Sequence, residues 1–314
     1  MKQNLDSTSA LAAAITQAAS KQTYYTIRFL VDRDRVSDAY RAYAYFRWVD
    51  DWLDGGQMER PERAAFLERQ SALIDNCYRS EPPHDLTLEE QMLVELIRRD
   101  GEKNSGLQMY IHNMLAVMAF DAERRGRLIS RAELTEYSRW LATGVTEAMH
   151  YFIGHDCPAP RNEARYLAVT AAHFTHMLRD TFEDVAAGYY NIPREYLDST
   201  NIAPQAVKSE AYRAWVKSRV QLARDYFKAG RSYLAQVENP RCRLAGYAYV
   251  GRFDGVLDAI EREGYWLRPE YRERKSLGAG LRMIGMAFGS AFGNRPAERA
   301  PRTLPIRQRS QREL

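Results

Sequence analysis

Two runs of the chain place carboxylates one helical turn apart. In Arg47-Trp48-Val49-Asp50-Asp51-Trp52-Leu53-Asp54 the pair is Asp50 and Asp54. In His173-Phe174-Thr175-His176-Met177-Leu178-Arg179-Asp180-Thr181-Phe182-Glu183-Asp184 it is Asp180 and Asp184. Residues four apart share a helix face, so each run presents two acidic groups side by side. His176 stands one turn before Asp180 on that face and His173 one turn further back, while Arg47 and Arg179 flank the two rows. Two facing carboxylate pairs with guanidinium groups beside them suit hard divalent cations held against a diphosphate.

Spacing alone does not establish such a site. With 18 Asp in 314 residues, chance gives roughly one pair at this spacing, and a helical surface tolerates it. The chain has two further pairs, Asp34/Asp38 and Asp254/Asp258. The first reads as a helix opening, where carboxylates favour the dipole; the second, between Arg252 and Arg262, reads as a solvated face. The two runs above differ from both. Each falls near an expected helix C-terminus, where the dipole disfavours negative charge. Each is embedded in large apolar side chains: Trp48, Trp52 and Leu53, then Phe174, Leu178 and Phe182. Half-buried like charges in such places call for a cation.

The elements that must position these groups read as helices almost throughout. An aromatic-rich helix ends near Asp54, before Gly55-Gly56, and another follows Pro61. Thr87-Leu88-Glu89-Glu90 and Ser130-Arg131-Ala132-Glu133 are capping boxes. Tyr110 to Phe120 is a helix, and Leu134, Tyr137, Leu141, Val145, Met149 and Phe152 form an apolar stripe of helical period. The second acidic run lies on a helix from about Asn162 to Gly188. A long amphipathic helix follows, and Asn239-Pro240 caps the next. A Gly-rich apolar helix is expected near Leu277 to Phe292. The last 22 residues, with six Arg against two Glu, read as a disordered basic tail. The expected organisation is one all-α domain over 1–292 and a Pro/Arg-rich tail over 293–314, with no alternating strand run.

Composition narrows the function classes. A net charge of +4 with 27% charged residues leaves no strong nucleic-acid footprint. Cys77, Cys157 and Cys242 are too scattered for a zinc knuckle or a disulfide frame. No apolar run is long enough to span a bilayer, and the Ala-rich stretch Leu11 to Ala19 reads as a first helix rather than a signal peptide. The expected location is the cytoplasm, with the C-terminal helix and basic tail contacting the inner face of a membrane peripherally. No glycine fingerprint for nicotinamide follows a strand, which leaves NADPH use open, since an all-α fold would bind it differently.

The motifs together resemble the squalene and phytoene synthases, the head-to-head trans-isoprenoid diphosphate synthases. Tyr43-Ala44-Tyr45-Phe46-Arg47-Trp48-Val49-Asp50-Asp51-Trp52-Leu53-Asp54-Gly55 is similar to that family's first aspartate-rich motif. Met177 to Asp184, followed by Tyr190-Asn191-Ile192-Pro193, is similar to the second. Tyr137 to Glu147 resembles the central tyrosine-alanine-glycine helix, and Val256 to Tyr265 the C-terminal signature. The resemblance implies an all-α isoprenoid-synthase bundle around a central cavity. Asp50, Asp54, Asp180 and Asp184 would bind magnesium, or manganese in its place. Arg47 and Arg179 would neutralise phosphate oxygens, and Tyr43 and Tyr137 would line the site. It further implies a monomer or homodimer acting on two prenyl diphosphates, farnesyl or geranylgeranyl, through a cyclopropylcarbinyl diphosphate. Four positions depart from the family pattern: His173 and His176 stand for Gln and Asn, Phe253 and Asn191 for Tyr. His176 is then a candidate metal ligand, and His173 a candidate substrate contact. Three other readings compete: a class I terpene cyclase acting on one prenyl diphosphate, a non-catalytic scaffold or assembly factor of this family, and a metal phosphohydrolase using His150, His155-Asp156 and Asp180.

Overall fold

Several helices start where a side chain caps them. The computed structural model describes residues 2–55 and 59–271, with side chains from residue 8 onward. Among them lie twelve α-helices and no strand. They are α1 Lys2–Ala19, α2 Lys21–Leu30, α3 Val36–Asp54, α4 Arg60–Tyr78, α5 Leu88–Arg98 and α6 Gly106–Arg124. They continue with α7 Arg131–Phe152, a 3-10 turn Glu163–Tyr166, α8 Leu167–Arg179, α9 Thr181–Ala187, α10 Arg194–Thr200, α11 Glu210–Leu234 and α12 Pro240–Arg262. Both expected capping boxes form: Thr87 Oγ1 accepts from the Glu90 amide at 3.2 Å and Ser130 Oγ from the Glu133 amide at 3.2 Å. Asn239 Oδ1 accepts from the amides of Arg241 and Cys242 at 3.0 and 3.1 Å and so opens α12. The expected helix at 277–292 and the tail at 293–314 lie outside the described residues.

The bundle is built around α8, which packs against α7, α11 and α12. Its inner positions are small: Ala171, Ala172 and Thr175 are fully buried. Close approach to α11 requires Gly230, where an added Cβ would stand 2.7 Å from the Cβ of Ala168. The C-terminal end of α3 is held to α4 by aromatic packing. Trp52 stacks on Phe66 with centroids 3.7 Å apart, and Trp48 meets the same ring edge-on at 5.4 Å. That clamp fixes the turn carrying Asp50 and Asp54.

The second acidic run differs from the expected continuous helix. It breaks at Asp180, whose backbone (φ −97, ψ 8) closes α8 and opens α9. Just past the break, Thr181 Oγ1 donates to the carbonyls of Met177 (2.8 Å) and Leu178 (3.1 Å) and so satisfies acceptors at the end of α8. Asp184 therefore lies in the first turns of a short new helix, not near the C-terminus of a long one. Gly188, at φ +86, ends α9 in the left-handed conformation, and Tyr189 donates its amide to the Asp184 carbonyl at 2.7 Å.

Two other expectations resolve. Asp38 is buried and structural, paired with Arg41 at 2.9 Å and Arg99 at 3.1 Å. Asp254 and Asp258 are not on a solvated face. Arg224 of α11 reaches Asp254 (3.3 Å), Asp258 (2.6 Å) and Glu261 (2.7 Å), and Arg231 reaches Asp254 at 2.9 Å, so these carboxylates join α11 to α12.

Candidate active site

Asp50, Asp54, Asp180 and Asp184 all line one cavity of about 330 Å³. The ends of α3 and α8 and the start of α9 bring them there, with the end of α6 and Tyr137 and Leu141 of α7 as further walls. His173 and His176 also line it, as do Asp121, Arg124, Tyr189 and Asn191. A second cavity of about 310 Å³ is almost wholly apolar. Four helices contribute to both. Along α3 the lining passes from Ala39, Ala42 and Tyr43 to Asp50 and Asp54; along α6 from Tyr110 to Asp121 and Arg124. Along α7 it passes from Val145 and Met149 to Leu141 and Tyr137; along α8 from Ala168 and Val169 to His173, His176 and Asp180. The polar and apolar spaces are thus successive along the same four helices.

Charges in the polar cavity are unevenly balanced. Burial works against ionised Asp180, but hydrogen bonds from Arg179 and His176 prevail and hold its carboxyl well below the usual range. Both Arg179 bonds measure 2.5 Å, and His176 Nε2 stands 2.8 Å from Oδ2. Asp184 is left short of countercharge. Burial first, then the charge of Asp180, push its carboxyl up to about 7, against the pull of Arg124. Asp50 is raised by burial and by Asp54. Neutral imidazole at His173 follows from burial, which pushes it down to about 3.

Arg124 is the cation at the centre. It pairs with Asp121 at 2.6 Å, donates to Asn191 Oδ1 at 2.9 Å, and lies over the rings of Tyr137 (4.9 Å) and Tyr189 (5.1 Å). Asn191 in turn donates to Asp184 Oδ2 at 2.7 Å, and Tyr137 donates to Asp121 Oδ2 at 2.8 Å. The departure at 191 therefore has a structural use: its amide bridges α6 and α9. Buried Phe253, another departure, packs edge-on against Tyr249 at 5.3 Å.

Not every expected site residue meets the cavity. Tyr43 lines the apolar space instead. Arg47 lines neither cavity; it turns along α3 to Asp50 at 3.1 Å and to Asp51. Arg179 is buried against Asp180 and lines neither. His176 does line the polar cavity, with Nε2 turned to Asp180. Sequence reasoning missed Asp121 and Arg124, because a helix stopped at Phe120 discards them. The signal was an acid and a base three apart directly after an aromatic end. The phosphohydrolase grouping is not assembled. His150 sits against Tyr233 (3.0 Å) and Cys242 (3.5 Å), and His155 against Glu102, in a pocket that does not include Asp180.

For a metal, the available donors are hard carboxylate oxygens. Among the described residues no three His, Cys, Asp or Glu stand together as a ready-made ligand cluster. Carboxylate oxygens are the donors that hard cations such as magnesium take, together with waters and phosphate oxygens.

The carboxylate-rimmed cavity and the apolar one stand along the same four helices of an all-α bundle, and the fold is that of the isoprenoid synthases. The squalene/phytoene synthase family model matches residues 16–278, and the chain belongs to that family. No curated protein matches it. Among solved structures it is similar to the squalene synthase HpnC from Alicyclobacillus acidocaldarius, with 19% identity over 84% of this chain and 97% of that one, at a TM-score of 0.67. It is also similar to a dehydrosqualene synthase in complex with ligand, with 17% identity over 92% and 98%, at a TM-score of 0.69. No helix among the described residues is long and apolar enough to cross a membrane.

Proposed function

We propose that the protein is a magnesium-dependent prenyltransferase that condenses two prenyl diphosphates, farnesyl or geranylgeranyl, head to head through a cyclopropylcarbinyl diphosphate. The observation that supports it most is the passage, on four helices at once, from a carboxylate-rimmed cavity to an apolar one. A prenyl diphosphate has the same polarity, a polyanionic head on a hydrocarbon tail. The unbalanced charge on Asp184 and Asp50 is what a divalent cation would relieve.

Asp50, Asp54, Asp180 and Asp184 would hold the magnesium, which when bound supplies the positive charge that lets diphosphate depart. Arg179 and His176 keep Asp180 ionised for that task. Arg124, at the head of the cavity, meets charge growing on the leaving oxygens. The allylic C–O bond breaks and its electron pair leaves with diphosphate. The C2–C3 double bond of the second donor then attacks the allylic carbon, and loss of a proton closes the cyclopropane. Tyr43 and Tyr110 line the apolar space and offer aromatic faces to a cation, while the aliphatic walls keep water away from it.

The test is direct. Purified protein is incubated with Mg²⁺ and farnesyl or geranylgeranyl diphosphate, with and without NADPH. The expected result is diphosphate release with a C30 or C40 product, or its cyclopropyl diphosphate, by mass spectrometry, and loss of both with EDTA. Asp50→Ala and Asp180→Ala should each abolish release while circular dichroism stays helical. A cyclic C15 or C20 product would move the assignment to a terpene cyclase. No release from folded protein with either donor would refute the enzymatic reading.

A further inference from the structure

The lining of α8 grades from mouth to floor. The side chain of Asp180, at its C-terminal end, is 24% exposed and that of His176 51%, whereas His173 is 5% exposed. Seven residues separate His173 from Asp180, about 10 Å along the axis at 1.5 Å per residue. One turn further, Val169 already lines the apolar cavity, and on α7 Leu141 and Val145 mark the same passage. Among the α8 residues that line the polar cavity, His173 is the one nearest the hydrocarbon space. A diphosphate held at the level of Asp180 and Asp184 places its first carbons, not its phosphates, beside this ring.

The imidazole itself is unusual. It meets Tyr137 edge-on with centroids 5.0 Å apart, and its buried Nε2 has no hydrogen-bond partner, a costly state for a polar atom. The polar groups around it are committed elsewhere: Tyr137 donates to Asp121, and Asn191 is held between Asp184 and Arg124. Burial keeps the ring neutral at ordinary pH, so in the Nδ1–H tautomer Nε2 carries a free lone pair.

We propose that His173 Nε2 accepts the proton whose loss ends the reaction, so that the product is an unsaturated hydrocarbon formed without a reductant. This rests on the head-to-head reading above. In the second half-reaction the cyclopropylcarbinyl C–O bond breaks and its electron pair leaves with diphosphate. A C–H bond next to the rearranged cationic carbon then breaks. Its electron pair becomes the new C=C bond, and the proton joins Nε2. Nothing is oxidised or reduced; one cyclopropylcarbinyl diphosphate becomes one hydrocarbon, one diphosphate and one proton. A proton beside a carbocation is acidic enough that even a weakly basic imidazole takes it. The imidazolium, disfavoured by burial, gives the proton up to diphosphate oxygens or water as products leave.

The test compares wild-type protein with His173→Gln and His173→Phe in Mg²⁺, with each donor, with and without NADPH. Diphosphate release and extracted products are both measured. The wild type should give the same hydrocarbon whether or not NADPH is present. In both variants hydrocarbon formation should fall roughly 10²- to 10⁴-fold, the range of general-base catalysis. Release of the first diphosphate should persist, and cyclopropylcarbinyl diphosphate or derived alcohols should accumulate. His173→Gln keeps a polar side chain of similar reach, and its melting curve reports whether the fold survives. Unchanged hydrocarbon yield in the variants, or a wild-type product that requires NADPH, would overturn the role of His173 while leaving head-to-head coupling in place. Wild-type protein that makes no coupled product would instead overturn the head-to-head reading, and this inference with it.

Discussion

Replacing Asp184 by Asn should make the metal-free protein more stable and catalytically dead. Asp184 is half-buried beside Asp180 and Asp121, and loss of solvent first, then these charges, push its carboxyl up to about 7 from 3.8. At 1.36 kcal/mol per tenfold, ionising it in the folded state costs roughly 4 kcal/mol, less whatever local relaxation and water entry recover. The sign follows from linkage. Between pH 3.8 and 7 the unfolded chain releases this proton while the folded protein keeps it, so stability falls as pH rises through that window and then levels off. Asparagine has the same shape, can still accept from Asn191, and carries no charge. With EDTA at pH 7.5, Asp184→Asn should gain about 1–3 kcal/mol, a Tm rise of roughly 2–10 °C for a chain of this size. Its stability should change less than that of the wild type between pH 4 and 7. Added Mg²⁺ with inorganic diphosphate should stabilise the wild type and narrow or reverse the difference. The assay is differential scanning fluorimetry checked by urea titration. A variant less stable than wild type without metal would show that Asp184 is already compensated, and the argument for a cation there would lose its electrostatic basis.

The remaining predictions concern cations held in place. Arg124→Ala removes the guanidinium that binds Asp121 and Asn191 and covers Tyr137 and Tyr189; diphosphate release should drop by at least about 10²-fold in kcat, the loss typical of one oxyanion donor. Glu147 and Arg165 form a bidentate pair at 2.7 and 2.8 Å, both 6% exposed, with Tyr233 and Tyr166 bonded to them. Glu147→Ala should cost about 3–5 kcal/mol in a urea titration because it strands a buried charge. Glu147→Leu with Arg165→Met together should recover much of that loss, and a single variant within about 1 kcal/mol of wild type would mean that the pair is solvated.

What could be read from the sequence was local, and what could not was relational. Thr87, Ser130 and Asn239 announce helix starts because each satisfies amides within three residues of itself. The aspartate pairs are legible for the same reason, since one turn of helix fixes their neighbourhood. The break at Asp180 is also local, but no residue type marks it: the bonds of Thr181 to Met177 and Leu178 are of the kind Thr175 makes to Ala171 inside unbroken α8. Longer range defeats the sequence more thoroughly. Asp254 and Asp258 read as solvated because Arg224 and Arg231 lie on another helix. Arg47 and Arg179 read as free to meet phosphate, although their partners are local: Asp51 stands one turn on from Arg47, and Asp180 is next to Arg179. The cation that does stand in the cavity, Arg124, was passed over at a helix end. Composition says that a site of this kind needs countercharge; only the packing of α6 against α7 decides which arginine supplies it. That is why exchanging the roles, by testing Arg47→Ala and Arg179→Ala beside Arg124→Ala, separates the resemblance from the structure. The resemblance predicts that loss of Arg47 or Arg179 directly weakens diphosphate binding. The geometry predicts the largest loss at Arg124, with Arg179 acting through the ionisation of Asp180 and Arg47 contributing least.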